Sequence, residues 1–138
     1  MKHDKIMIKE RNKMSLTSSI LLILLSISIA VGGQLLLKVG INRIGIVNFG
    51  NLNALKLFFS GVIKSPMIIT GLFLYVVSAA IWLIVLSVVD LSFAYPFLGF
   101  TYVMVLVLSK FILKEDVNPI RWIGTGIITI GVIVLSRG

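Results

Sequence analysis

The chain has 138 residues, 58% hydrophobic and 13% charged, with a net charge of +8, and a soluble domain would carry roughly 25% charged residues. This length allows one domain at most, and the composition excludes a soluble one. There is no cysteine and one histidine, His3 in a polar tail, which removes disulfides, thiolate metal sites, Cys nucleophiles and any His-based catalytic or metal centre within one chain. The positive residues are dispersed between apolar segments instead of forming a stripe on a soluble face, so a membrane surface, not nucleic acid, is their expected partner.

In chain order, residues 1–14, MKHDKIMIKERNKM, read as a charged tail, and 15–138 as the membrane domain. Four apolar stretches follow the tail: Leu16 to Leu37, about Pro66 to Val89, Leu91 to about Leu113, and about Pro119 to Leu135. Each is long enough to cross a hydrocarbon core, which requires about 20 residues. Without water to serve open backbone groups they must be helices. The expected fold is therefore an all-α integral membrane protein with four transmembrane helices. A basic start, an apolar run and SIA at Ser28–Ala30 also match a cleavable signal peptide. The run is longer than a signal core, and retention as a span is the expectation.

The segment 40–50, GINRIGIVNFG, reads as a loop. After it, Leu52, Leu55, Phe58, Phe59, Val62 and Ile63 share one helical face, while Asn53, Lys56, Ser60 and Lys64 share the other. This predicts a short amphipathic helix in the headgroup plane between the first and second spans; the alternative is a plain extension of the second span. The chain then turns at Asp90, a candidate helix N-cap, and later at Asn118-Pro119, a helix start. Such short connections predict antiparallel neighbours. Four spans put both termini on one side, with six Lys and Arg residues against seven on the other. The positive-inside rule needs an excess. Dual insertion as an antiparallel dimer, or an orientation fixed by a partner or by the charged tail, both satisfy this count.

Strongly polar groups inside a span usually face a cavity or a partner. Gln34 and Lys38, four residues apart, share a face of the first span, with Gly33 and Ser26 near the same side. Gly32 and Gly33 either admit a neighbouring backbone or leave a groove. Gln34 suits an interhelical hydrogen bond or a substrate contact, and Lys38 suits snorkelling or a substrate contact. Pro96 should kink the third span and free the Ser92 carbonyl, beside Tyr95 and with Tyr102 two turns on. Gly124 and Gly131, seven apart with Gly126 beside them, form a packing or dimer face. Glu115 and Asp116, on a polar connection, are expected to pair with Lys114 or Arg121. A nucleophile with its base, paired carboxylates within the spans and a phosphate-cradling loop are all missing, so no enzyme, metal or cofactor is expected.

GQLLLK ending the first span, SFAYPFLG opening the third and LKEDVNPIRWIGTGIITIGVIVLS over the fourth resemble the small four-helix members of the drug/metabolite transporter superfamily, over residues of about 20 to 137. The likeness is greatest to the paired aminoarabinose–undecaprenyl-phosphate flippase subunits, which are similar to small multidrug resistance exporters. The resemblance implies a transporter in the cytoplasmic membrane, working as a homodimer or with a paralogous small subunit, and holding a lipid-linked sugar between protomers. It carries substrate contact over to Gln34, Lys38, Tyr95 and Pro96, with Gly33 beside them, and a structural or gating role to Glu115; Asp90 is a structural or gating candidate by its place at the turn, as a cap in preference to a proton carrier. Lys38, with Lys110 or Arg43, would attract the phosphate. Where the multidrug exporters carry a membrane glutamate in the first helix, this chain has Ala30. That departure shifts the expectation from proton-coupled export of a cation or small metabolite towards lipid flipping. A non-transporting subunit that scaffolds a glycosyltransferase is the third alternative.

Overall fold

The structure, a computed structural model, describes residues 15–46 and 50–135; the expected charged tail lies outside them. Its elements are α1 (Leu16–Ile44), α2 (Leu52–Lys64), α3 (Pro66–Val88), α4 (Leu91–Phe97), α5 (Gly99–Phe111) and α6 (Pro119–Leu135). All regular structure among the described residues is helical. α1, α3 and the continuous stretch of α4 with α5 are long and apolar enough to cross a membrane. α6 is shorter, with 17 residues, or about 26 Å against a hydrocarbon core of about 30 Å. The outer faces expose Leu21, Phe73, Val76, Leu83 and Ile130, more apolar surface than a protein in water leaves uncovered. The small core joins Ile23, Ile27 and Val31 of α1 to Val85 of α3 and Ala94 of α4.

α1 is longer than the sequence suggests. The loop expected from residue 40 begins only after Ile44, because Gly40 is a buried contact glycine lying against Ile68 of α3. Gly45 ends the helix: its φ of 96° with ψ of −172° is a backbone conformation that glycine alone adopts readily, and its N–H donates to the Ile41 carbonyl. α2 is a separate helix and not an extension of α3. The Asn51 side chain accepts the Asn53 N–H at 2.9 Å at its start, and at its end Ser65 turns extended before Pro66 opens α3.

α1 and α3 run antiparallel, and three contacts fix their register. Ser26 Oγ donates to the Ser78 carbonyl at 3.0 Å, and Ser78 Oγ donates to the Ser26 carbonyl at 2.9 Å, with both serines buried. One end of the interface is closed by Gly40 on Ile68. Between them Gly33 meets Gly71 so closely that a Cβ on either would lie 2.8 Å from the other's carbonyl oxygen. Of the two expectations at Gly33, the close approach of a neighbouring backbone is the one present, and no groove is left there, since two facing glycines let the backbones touch. Ser26→Ala should lower stability by about 0.6 kcal/mol, the average for interhelical hydrogen bonds in membranes, and by no more than about 1.7 kcal/mol; thermal unfolding in detergent checks this.

The third span is interrupted at Leu98, two residues after Pro96, without leaving the helical path. Leu98 stays α-helical in its dihedrals while its N–H reaches back only three residues to Tyr95, and Gly99 then starts α5 buried against Val132 of α6. Asp90 holds the N-cap position of α4, where its carbonyl accepts the Phe93 and Ala94 N–H groups at 3.0 Å. Its side chain makes no capping hydrogen bond, contrary to expectation; the residue is exposed, where water can serve the first-turn donors. At α6 the expected start is present: the Asn118 side chain accepts the Ile120 N–H at 3.0 Å.

Candidate functional site

A cavity of about 850 Å³ opens between α1, α3, α5 and α6. Gln34 and Ala30 of α1, Tyr75 and Trp82 of α3, Tyr102 of α5, Glu115 of the connection and Arg121 of α6 line it, over an otherwise mostly aliphatic wall. The Ser26–Ser78 pair also borders it. A second cavity of about 260 Å³ adjoins it; Gln34 and Glu115 line both, and Lys38 lines the smaller.

The polar end is built by the turn after α5. The Leu113 N–H donates to the Leu108 carbonyl and the Glu115 N–H to Ser109, with Lys114 between them at φ 54°. A left-handed residue past a helix end reverses the chain, which carries Glu115 back to α1. There Lys38 Nζ lies 3.6 Å from Glu115 Oε1. The expected partners of Glu115, Lys114 and Arg121, are thus replaced by Lys38, because the left-handed turn aims the carboxylate across the bundle. One turn along α1, Gln34 Nε2 donates to Tyr75 Oη at 3.4 Å, so Gln34 makes an interhelical hydrogen bond and faces the cavity as well.

Gln34, Lys38 and Glu115 therefore come together, while other candidates do not join them. Gly33 faces Gly71. Tyr95 is 54% exposed and stands outside the cavity, its ring 6.3 Å from that of Trp82, which is in the wall. Pro96 lines a separate apolar cavity with Phe100 and Val132. The separation follows from packing: α4 sits in the core cluster beside Ile23 and Ile27, and Gln34 lies about 10 Å further along α1. Gly124 lines the large cavity, Gly131 is exposed, and neither has an atom within 4 Å of an added Cβ. Tyr75, Trp82 and the cavity-facing position of Arg121 escaped sequence reasoning. Periodicity places each on a helix but gives no partner helix.

Residues 63–137, just over half of the chain, match the EamA-like transporter family. The chain belongs to that family. As a member with long apolar helices, it is a multi-pass membrane protein of a transporter class. It is 39% identical over 57 residues to the probable 4-amino-4-deoxy-L-arabinose-phosphoundecaprenol flippase subunit ArnE of Pseudomonas savastanoi pv. phaseolicola, a match covering 41% of this chain and 50% of that protein. To the protein of the same description in Proteus mirabilis it is 38% identical over 55 residues, 40% of this chain and 49% of the relative. To that of Pseudomonas fluorescens strain Pf0-1 it is 31% identical over 74 residues, 54% and 65% respectively. The chain spans about half the length of the first two of these curated relatives. No solved structure matches it.

Proposed function

We propose that this EamA-like chain is a subunit of a translocase that flips a polyprenyl-phosphate-linked sugar across the cytoplasmic membrane. The observation that carries the reading is a polar cluster: Gln34 and Glu115 in the wall of a large, mainly apolar cavity between helices, with Lys38 beside them in the smaller cavity that adjoins it. A glycolipid headgroup needs such an environment: hydrogen-bonding groups for sugar hydroxyls, aromatic faces for the ring, and a cation for the phosphate. Gln34 and Tyr75 supply the first, Trp82 and Tyr102 the second, and Lys38 the third once Glu115 releases it. Tyr95 backs Trp82 from outside. The isoprenoid tail stays in lipid while the head passes. The relatives' descriptions, flippase subunits for an aminoarabinose on phosphoundecaprenol, support the same substrate class.

In this reading α6 is a fourth span at the short end of the usual range. α2 lies at the interface, with Leu52, Phe59 and Ile63 exposed to lipid beside Lys56 and Lys64. The exposed Gly131 side of α6 receives a second copy or a paralogous small subunit, while Gly124 stays in the cavity wall. Ala30 in the cavity wall leaves no carboxylate at that position to exchange protons for a cation.

The test is reconstitution into vesicles holding a labelled polyprenyl-phosphate sugar, with the protein alone and with a co-expressed paralogous subunit. Transfer of the label between leaflets, well above that in protein-free vesicles, is the expected result. Absence of transfer in both preparations, with saturable binding of a soluble amine, would overturn the reading in favour of a small-cation exporter. Absence of both activities would leave the scaffold subunit.

A further inference from the structure

Two charged side chains line the large cavity, Glu115 and Arg121. Glu115 lies within ion-pairing distance of Lys38, whereas the Arg121 guanidinium makes no ion pair among the described residues. Arg121 stands on the first turn of a well-anchored helix. Its N–H donates to the Asn118 carbonyl at 2.9 Å, and its own carbonyl accepts from Thr125 Oγ1 at 2.8 Å. A guanidinium has five donors and no acceptor, and its fork matches the oxygens of a carboxylate or a phosphate.

Lys38, Glu115 and Arg121, in the walls of the two adjoining cavities, sum to one positive charge. A sugar joined to a polyprenyl phosphate is a phosphodiester with one negative charge. Lys110, Lys114 and Arg43 line neither cavity of the site. We propose that Arg121 is the receptor for the substrate phosphate in this conformation, binding it before Lys38 is released from Glu115. This rests on the translocase reading and deepens it: initial binding belongs to Arg121, and movement to Lys38.

The experiment measures binding to the purified full-length protein by native mass spectrometry, with four probes. These are a synthetic polyprenyl-phosphate monosaccharide, the corresponding polyprenyl monosaccharide without phosphate, inorganic phosphate, and phosphatidylglycerol. The wild type should prefer the first probe. Arg121→Gln should weaken that probe by about tenfold to a hundredfold, the worth of a hydrogen bond to a charged group, without changing the phosphate-free lipid. Arg121→Lys should recover part of the loss, and Lys38→Gln, which also removes a positive charge beside the site, should weaken the same probe less than Arg121→Gln does. Unchanged binding in Arg121→Gln, or loss in Lys38→Gln alone, overturns the assignment and leaves the translocase reading standing. Equal binding of phosphatidylglycerol overturns it too, making Arg121 a general contact for anionic lipid; equal binding of inorganic phosphate makes the site one for the free anion. A wild type that neither binds nor moves the phosphate-linked sugar removes both proposals together.

Discussion

Gly33→Leu is expected to separate α1 from α3 and leave little folded protein. A Cβ at Gly33 would lie 2.8 Å from the Gly71 carbonyl oxygen and 3.3 Å from the Tyr75 nitrogen. Both are backbone atoms, so no rotamer change relieves the contact. Gly71 is constrained in the same way, by the Gly33 carbonyl at 2.8 Å and the Leu37 nitrogen at 3.1 Å. Overpacking by a methylene or two costs about 1–3 kcal/mol, and a full leucine at a backbone–backbone contact should exceed that range. Whole domains are stable by only about 5–15 kcal/mol, so Gly33→Ala should lower the melting temperature and Gly33→Leu should give aggregated protein. Gly32 is the internal control. An added Cβ there meets nothing within 4 Å, and Gly32→Ala should be neutral or stabilise the helix by about 0.5–1 kcal/mol. Thermal unfolding and gel filtration in detergent distinguish these outcomes; a Gly33→Leu protein that melts with the wild type would mean that the two helices do not meet there.

The same glycines mark where sequence reading stops. A membrane helix and its proline-marked start are local properties, so Pro66, Pro119 and α2 as a separate helix were legible. A glycine's role is not local. Gly40 and Gly45 look alike in GINRIGIVNFG, yet one is buried against Ile68 inside α1 and the other ends that helix at a positive φ. Gly32 and Gly33 are adjacent, yet only the second meets a neighbouring backbone. In the site, Gln34 and Lys38 stood out because a polar group in an apolar span is conspicuous on its own. Their partners were hidden for the opposite reason. Tyr75 becomes a partner through the antiparallel register of α1 and α3, and Glu115 through one left-handed residue, Lys114, after α5. Proximity along the chain pointed instead to Lys114 and Arg121. Similarly, Tyr95 and Pro96 attract notice as residue types, but the packing of α4 beside Ile23 and Ile27 keeps them from the polar end.

Lys38→Gln is expected to stop transport while leaving the fold and the oligomeric state intact. The ion pair with Glu115 is long, at 3.6 Å, and its side chains are 50% and 36% exposed. Strong charge-assisted contacts close to about 2.7–2.9 Å, and pairs this open to water contribute about 0–1 kcal/mol. Removing the ammonium should therefore barely move the melting temperature. The same weakness suits the pair to function, because a phosphate held nearby competes with a carboxylate that is only loosely engaged. A neutral glutamine can still occupy the space but offers the phosphate no charge to exchange for, so the headgroup stays where it first bound. Glu115→Gln separates the two roles of the pair: it frees Lys38 without deleting it, and should slow transport less than Lys38→Gln does. Exchanging the residues, with Lys38→Glu and Glu115→Lys together, restores an ion pair of the same strength yet turns a carboxylate towards the phosphate path. If the pair were only a structural strut, that double variant would recover transport. If Lys38 receives the phosphate, it stays inactive with wild-type stability, and leaflet-transfer rates measured beside melting curves tell the two apart.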